Sequence, residues 1–104
     1  FFRGTVDRLD APGLKIPQIG WNQVRHARPD CPLFAGIADG THFYFDHSYR
    51  AKPADAGIIA GITEYGEAFA SVVWGGNCFA VQFHPEKSQR AGLQMLANFV
   101  SLKP

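Results

Sequence analysis

The chain is poor in cysteine and carries almost no net charge. Of its 104 residues only Cys31 and Cys78 are cysteines, and neither stands at a spacing typical of paired metal ligands. Its 10 Lys and Arg side chains nearly balance its 9 Asp and Glu side chains, which leaves a formal net charge of +1. We therefore expect no metal site and no strongly basic surface for nucleic acid.

Long hydrophobic runs, repeats and low-complexity tracts are also missing from the sequence. Its apolar stretches are far too short for a membrane-spanning helix, so no membrane association is expected. No signal peptide is recognised, and we therefore expect reduced thiols and a cytoplasmic location. What the chain does have is a hydrophobic content of 46%, including nine Phe residues. That content suits the core of one small domain over residues 1–104.

Apolar runs of strand length alternate with turn signals along the chain. Strands are predicted at residues 16–24, 41–47 and 57–63, with an irregular segment at 1–15 and one helical turn at Leu33-Phe34. Residues 67–74 and 77–83 flank Gly75-Gly76 and predict a hairpin. Both faces of its second strand are mostly apolar, so this strand is expected to be central and buried.

The last segment predicts a helix that begins after Ser88. The Ser88 hydroxyl is expected to cap the first turn. Four apolar residues recur at the helical spacing of one face: Leu93, Leu96, Ala97 and Val100. Three more apolar residues widen this stripe: Met95, Phe99 and Leu102. The stripe is predicted to pack on the sheet. Several strands followed by one helix indicate a sheet-dominated α/β or α+β fold.

The sharpest chemical feature is the segment at residues 82–86, Gln-Phe-His-Pro-Glu, where the last predicted strand ends. Ligand sites gather at the carboxyl ends of strands in open α/β sheets. Pro85 biases His84 toward extended backbone, so His84 and Glu86 are expected to lie side by side. Such a pair suits a general base and its orienting carboxylate, with a nucleophile from elsewhere in the fold. By residue types alone, a solvated turn without catalytic role is the simpler alternative.

The complete motif at 82–86 resembles the signature of class I, or triad-type, glutamine amidotransferases. In that family the His and Glu of the motif complete a catalytic triad with a Cys, so the resemblance implies His84 as general base and Glu86 as its orienter. Three further segments narrow the resemblance to the glutaminase subunits of imidazole glycerol phosphate synthase. They are Lys87-Ser88, Gly-Trp-Asn at 20–22 and Tyr-Phe-Asp-His-Ser-Tyr at 44–49. The implied fold is the C-terminal half of a flavodoxin-like, three-layer α/β fold, with a mixed sheet and a C-terminal helix.

The resemblance also implies further site residues and a partner. The residues implied to line the glutamine pocket, largely through their backbone, are His47, Ser48 and Tyr49. Those implied to lie near the interface with the cyclase subunit, in a heterodimer, are Trp21, Asn22, Lys87 and Ser88. No cofactor is implied. Two alternatives stay open, since Trp21 suits ordinary core packing equally well and His47 suits a strand-end hydrogen bond.

The implied activity is hydrolysis of glutamine to glutamate, with the ammonia passed to the cyclase subunit in histidine biosynthesis. The family's nucleophile lies in a Gly-x-Cys-x-Gly segment of the N-terminal half, and neither Cys31 nor Cys78 has that context. Cys78 is expected to be a buried, inert strand thiol. Because nucleophile and oxyanion hole are both missing, the chain alone is expected to be inactive. Gln18 departs from the His expected there in many relatives.

Three other interpretations remain open at this point. The chain suits the glutaminase of another triad amidotransferase, although Lys87-Ser88 and the Gly-Trp-Asn segment argue against it. It also suits a non-catalytic half-domain that binds a barrel partner. The last is a small stand-alone protein of unrelated function.

Overall fold

A computed structural model describes residues 3–102 of the chain, so the ends of the predicted domain (residues 1, 2, 103 and 104) lie outside the described part. The strands are β1 (Gly4–Arg8), β2 (Gln18–His26), β3 (Thr41–His47), β4 (Tyr49–Pro53), β5 (Ile59–Glu64), β6 (Ala68–Gly75) and β7 (Cys78–Val81). One α-helix, α1 (Gln89–Val100), closes the described chain. Three short 3₁₀ turns lie at Pro32–Phe34, Ala56–Ile58 and Pro85–Lys87.

The strands form one five-stranded sheet and one two-stranded arm. The sheet has the order β3-β2-β5-β6-β7, and β1 pairs with β4 in the arm. The predicted α/β class, with a strand-rich sheet and a C-terminal helix, is confirmed. All strand pairs among residues 3–102 are antiparallel, and the parallel pairs that a mixed sheet also contains do not occur in this part of the chain. No helix in the described part has the length and hydropathy to cross a bilayer.

The five predicted strands agree with the structure to within two residues at every end, and β3 agrees at both ends. The helical turn predicted at Leu33-Phe34 is confirmed as the 3₁₀ turn Pro32–Phe34. The arm is absent from the sequence prediction, and the segment predicted to be irregular contains β1. All five β1 residues are exposed, and the strand exists because it pairs with β4 from Gly4↔Pro53 to Arg8↔Tyr49. Because β1 is stabilised by pairing with a distant strand and not by burial, its sequence shows no alternation of apolar and polar residues.

The hairpin between β6 and β7 is present, but two expectations for it are wrong. Gly75 pairs with Cys78, so the turn is Gly76-Asn77, with Gly76 at a left-handed φ of 59°. Strand β7 is an edge strand of the described sheet rather than a central one. Cys78 is exposed, not buried, as is Ala80 on the same face of β7.

Helix α1 begins where the sequence predicts, but only part of its predicted stripe is buried. Met95 is 2% exposed, whereas Leu93 is 66% exposed, Leu96 40% and Val100 81%. The buried side carries Gly92 and Met95. A Cβ at Gly92 would lie only 1.8 Å from the Pro85 carbonyl oxygen. The helix therefore approaches the 3₁₀ turn Pro85–Lys87 through its glycine, a contact that counting apolar residues does not detect.

An aromatic cluster supports the segment that follows β7. The ring centroids of Phe43 and Phe83 lie 4.3 Å apart, and those of Phe45 and Phe83 lie 5.6 Å apart in an edge-to-face arrangement. All three rings are buried, with exposures of 1%, 0% and 3%. Aromatic pairs of this geometry stabilise a core beyond the area that they bury. The cluster thus anchors the chain directly before His84.

Candidate active site

His84 and Glu86 form a hydrogen-bonded pair at the junction between β7 and α1. His84 Nδ1 lies 2.9 Å from Glu86 Oε2. His84 has extended backbone (φ −101°, ψ 99°), as expected of a residue before proline. Glu86 lies in the 3₁₀ turn Pro85–Lys87, so the chain bends where continued extension is expected. The predicted contact between the two side chains is present, and the turn creates it.

The geometry of this pair suits proton transfer at the other ring nitrogen. When Nδ1–H donates to the carboxylate, the neutral imidazole keeps its lone pair on Nε2. The backbone N–H of Glu86 itself and the His84 ring hold the pKa of the Glu86 carboxyl below its usual value. The carboxylate therefore stays ionised at neutral pH and stabilises an imidazolium when His84 takes up a proton.

The backbone of His84 is held by a closed set of hydrogen bonds, here called the Ser88 clamp. The His84 N–H donates to the Tyr44 carbonyl (2.9 Å), and the Tyr44 N–H donates to Ser88 Oγ (2.9 Å). The Ser88 hydroxyl in turn donates to the His84 carbonyl (2.7 Å). The clamp therefore ties the turn that carries His84 to the middle of β3.

The clamp corrects one expectation for Ser88. Its hydroxyl does not cap α1, because it bonds back to His84 and across to Tyr44. The Ser88 side chain is only 2% exposed, and its predicted place near a partner interface stays a prediction. The sequence position of Ser88 does not indicate these hydrogen bonds, since a Ser directly before a helix is most often its N-cap.

Replacing Ser88 with alanine should destabilise the protein by about 1–3 kcal/mol, because the His84 carbonyl and the Tyr44 N–H each lose a buried partner. The free energy of unfolding in urea measures this change. Ser101→Ala is the matched control, since the Ser101 hydroxyl also bonds a backbone carbonyl (Ala97 O, 2.8 Å) but at an exposed position. A loss no larger than that of the control would contradict the clamp.

The segment His47-Ser48-Tyr49 forms the corner between β3 and β4. His47 Nδ1 lies 2.7 Å from the Tyr49 carbonyl oxygen, and the Ser48 carbonyl accepts from the Leu9 N–H (2.9 Å). The strand-end hydrogen bond considered for His47 is therefore present. Burial lowers the pKa of His47 below its usual value, and nearby His84 lowers it further, against the Tyr49 hydrogen bond and Asp46, which raise it.

The residues predicted near a partner do not share one face. Trp21 is 45% exposed and packs edge-to-face on Tyr44, with ring centroids 5.8 Å apart, so it is not a core residue. It lies beside the clamp, because the Tyr44 backbone bonds His84 and Ser88. Adjacent residues of a strand point to opposite faces, so Asn22 points away from Trp21. Lys87 is exposed on the His84 turn.

Neither cysteine resembles an activated nucleophile next to His84. Cys31 is buried before the turn Pro32–Phe34, and that burial raises the pKa of its thiol. A raised pKa reduces the thiolate fraction that attacks a carbonyl. Cys78 is exposed, but it lies at the hairpin end of β7, opposite the end that leads to His84.

Residues 4–102 match the model of the family named glutamine amidotransferase class-I. The chain belongs to this family. Over 99 residues it is 54% identical to imidazole glycerol phosphate synthase subunit HisH of Moorella thermoacetica, covering 95% of this chain and 46% of the relative. HisH of Dechloromonas aromatica is 56% identical over 91 residues, which cover 88% of this chain and 41% of that protein. The predicted resemblance to this amidotransferase branch is thereby confirmed. The chain spans about half the length of the curated relatives that it matches.

A solved structure from Thermoplasma acidophilum is similar in fold. This GMP synthase protein superposes with a TM-score of 0.70 at 18% identity, covering 93% of this chain and 47% of its own chain. The amidotransferase fold therefore extends through nearly the whole described chain.

Sequence patterns miss three residues that organise this site. Tyr44 contributes only backbone atoms to the clamp, which no side-chain pattern reveals. Gly92 has no side chain to mark a role in the sequence, although the absence of that side chain permits the close contact between α1 and the His84 turn. Gln18 is a minor departure by sequence, yet it is the cross-strand partner of His47 and bonds its ring. The one sequence signal for Gln18 is that a polar residue stands at the start of an apolar strand.

Proposed function

We propose that this chain supplies the general-base part of the glutaminase site of imidazole glycerol phosphate synthase. The observation that carries the proposal is the His84–Glu86 pair at 2.9 Å, held by the Ser88 clamp, in a chain 54% identical to a HisH subunit. Glutamine is the substrate, and glutamate and ammonia are the products. We place the reaction in histidine biosynthesis, in the cytoplasm.

In the proposed reaction a cysteine from the other half of the amidotransferase domain attacks the side-chain amide of glutamine. His84 Nε2 takes the thiol proton and then donates it to the departing ammonia, while Glu86 orients the ring through Nδ1. Water next hydrolyses the thioester with His84 again acting as base, which releases glutamate. An oxyanion hole, also outside this chain, stabilises both tetrahedral intermediates. His47, Ser48 and Tyr49 contribute the backbone wall of the glutamine pocket.

The proposed partner is a cyclase subunit that receives the ammonia in a heterodimer. Trp21, which packs on Tyr44, and Lys87, which lies on the His84 turn, are both exposed, and they form the contact surface that we propose. Asn22 joins this surface only at its edge, because it points to the other face of β2. Ser88 supports the surface from below through the clamp.

A reconstitution experiment tests this proposal. The chain is mixed with the N-terminal half of the Moorella thermoacetica HisH relative and with the matching cyclase subunit, and glutamate release from glutamine is measured. We expect activity in the three-component mixture and none from the chain alone, since neither Cys31 nor Cys78 is placed as a nucleophile. Omitting each component in turn is the control.

Two outcomes would contradict the proposal in different ways. Glutamine hydrolysis by the pure chain would show that it holds its own nucleophile. A complex that assembles on native gels but never hydrolyses glutamine would favour the alternative of a non-catalytic half-domain that binds a barrel partner.

A further inference from the structure

Gln18 is a buried polar residue with an unusual hydrogen-bonding environment. It is the first residue of β2, lies opposite His47 in the ladder with β3, and is only 1% exposed. Its Oε1 lies 2.5 Å from His47 Nε2. Its Nε2, which carries two donor hydrogens, is buried with no hydrogen-bond partner among the described residues. A buried amide nitrogen without an acceptor costs about 1–3 kcal/mol, so its environment requires an explanation.

The hydrogen bonds of the His47 ring require a charged imidazole if Gln18 Oε1 is the atom next to it, and the surroundings of the ring disfavour that charge. The Tyr49 carbonyl only accepts, so His47 Nδ1, at 2.7 Å, carries a hydrogen. If Gln18 Oε1 is the atom at Nε2, that nitrogen carries a hydrogen too, and His47 is an imidazolium. The ring packs against Phe45 and Phe69, with centroids 5.7 and 5.3 Å away. Such apolar surroundings disfavour a charged ring.

Rotating the Gln18 amide by half a turn removes the conflict. Amide oxygen and nitrogen have nearly the same shape, so their placement is decided by the hydrogen-bond network. After rotation the NH₂ group donates to Nε2 of a neutral His47, and Nδ1–H donates to the Tyr49 carbonyl. The atom left without a partner becomes a carbonyl oxygen, and buried unpaired acceptors are better tolerated than unpaired donors.

We propose that Gln18 is a positioning residue whose side-chain NH₂ donates to His47 and selects the neutral Nδ1–H tautomer of that ring. The chain of bonds then runs from Gln18 through His47 to the Tyr49 carbonyl and fixes the corner 47–49 in one conformation. If that corner lines the glutamine pocket, a role that rests on the function proposed above, Gln18 governs substrate affinity from beneath the pocket.

The neutral state of His47 has a second consequence for the site. His84 and His47 are close enough for their charges to interact. A cationic His47 would oppose the uptake of a proton by His84, the step that the proposed reaction requires. An amide at position 18 avoids this, since it donates without bringing the negative charge that would protonate His47. The apolar rings of Phe45 and Phe69 pack against the His47 ring, and the charge of nearby Asp46 favours its charged form.

The first test reads the tautomer directly. Nitrogen-15 NMR of the labelled chain, alone and in the reconstituted complex, distinguishes the Nδ1–H, Nε2–H and doubly protonated forms of each histidine. At neutral pH we expect His47 to be the Nδ1–H tautomer in the unaltered chain and an imidazolium in Gln18→Glu. A wild-type His47 that is doubly protonated or carries its hydrogen on Nε2 would overturn the inference.

The second test separates substrate binding from chemistry. In the reconstituted glutaminase, Gln18→Leu should raise KM for glutamine about 10-fold while kcat changes less than about threefold, because the pocket wall loosens but the His84–Glu86 pair is untouched. Unchanged KM in Gln18→Leu would refute the link to substrate. If the unaltered mixture has no activity, the proposed function fails, and the NMR result alone decides the assignment of Gln18.

Discussion

Replacing His84 with alanine is expected to lower kcat/KM for glutamine by about 10⁴-fold or more in the reconstituted enzyme. The expected loss is large because one imidazole serves both proton transfers, first as base to the thiol and then as acid to the departing ammonia. His47 is not placed to substitute, since it is held at both ring nitrogens. Steady-state glutamate release measures the effect.

Glu86→Gln should cost much less, about 10- to 100-fold, because the Glu86 carboxylate is 59% exposed and water partly replaces it. His42→Ala is the matched control, as His42 is an exposed histidine on the same strand as Tyr44 and should leave the rate unchanged. Equal rates for His84→Ala and His42→Ala would remove His84 from the mechanism.

Replacing Gly92 with alanine is expected to destabilise the protein by more than about 3 kcal/mol, above the usual cost of an extra methyl in a packed core. A Cβ there would lie 1.8 Å from the Pro85 carbonyl oxygen and 2.8 Å from its carbon. These are backbone atoms of the His84 turn, so no side-chain rotation relieves the contact. Either α1 or the turn must move, and the Ser88 clamp opens with it.

The sign of the change in the free energy of unfolding tests whether Gly92 contacts the Pro85 backbone. Gly→Ala in an exposed helix interior stabilises by roughly 1 kcal/mol through helix propensity alone, so a stabilised Gly92→Ala protein would disprove the contact. Unfolding in urea gives the free energy, and glutaminase activity after reconstitution reports on the turn. Leu93→Ala, at a neighbouring position that is 66% exposed, should change stability by less than about 0.5 kcal/mol.

The local patterns in the sequence are sufficient to predict most strands of the sheet. Strand β3 is predicted at both of its ends, because its aromatic residues alternate between a buried and an open face. The hairpin is placed by its glycines, although the turn is Gly76-Asn77. The arm of β1 and β4 escapes prediction because its cause is a partner some 45 residues away along the chain.

For the site, the pair of side chains follows from the sequence. The motif at 82–86 predicts the contact between His84 and Glu86 that the structure contains, and the proline between them restricts the backbone of His84. The family follows from the same residues, since motif chemistry is local and needs no knowledge of distant contacts.

The contacts that hold the His84–Glu86 pair in place become visible only in the folded chain. Ser88 bonds His84 and Tyr44 instead of capping α1, α1 packs through its glycine rather than its leucines, and β7 is an edge strand of the described sheet. Gln18 is the partner of His47, 29 residues away. Each of these roles depends on contacts between residues that are far apart in the sequence. Such contacts produce no periodic pattern of apolar residues, so the sequence alone does not reveal them.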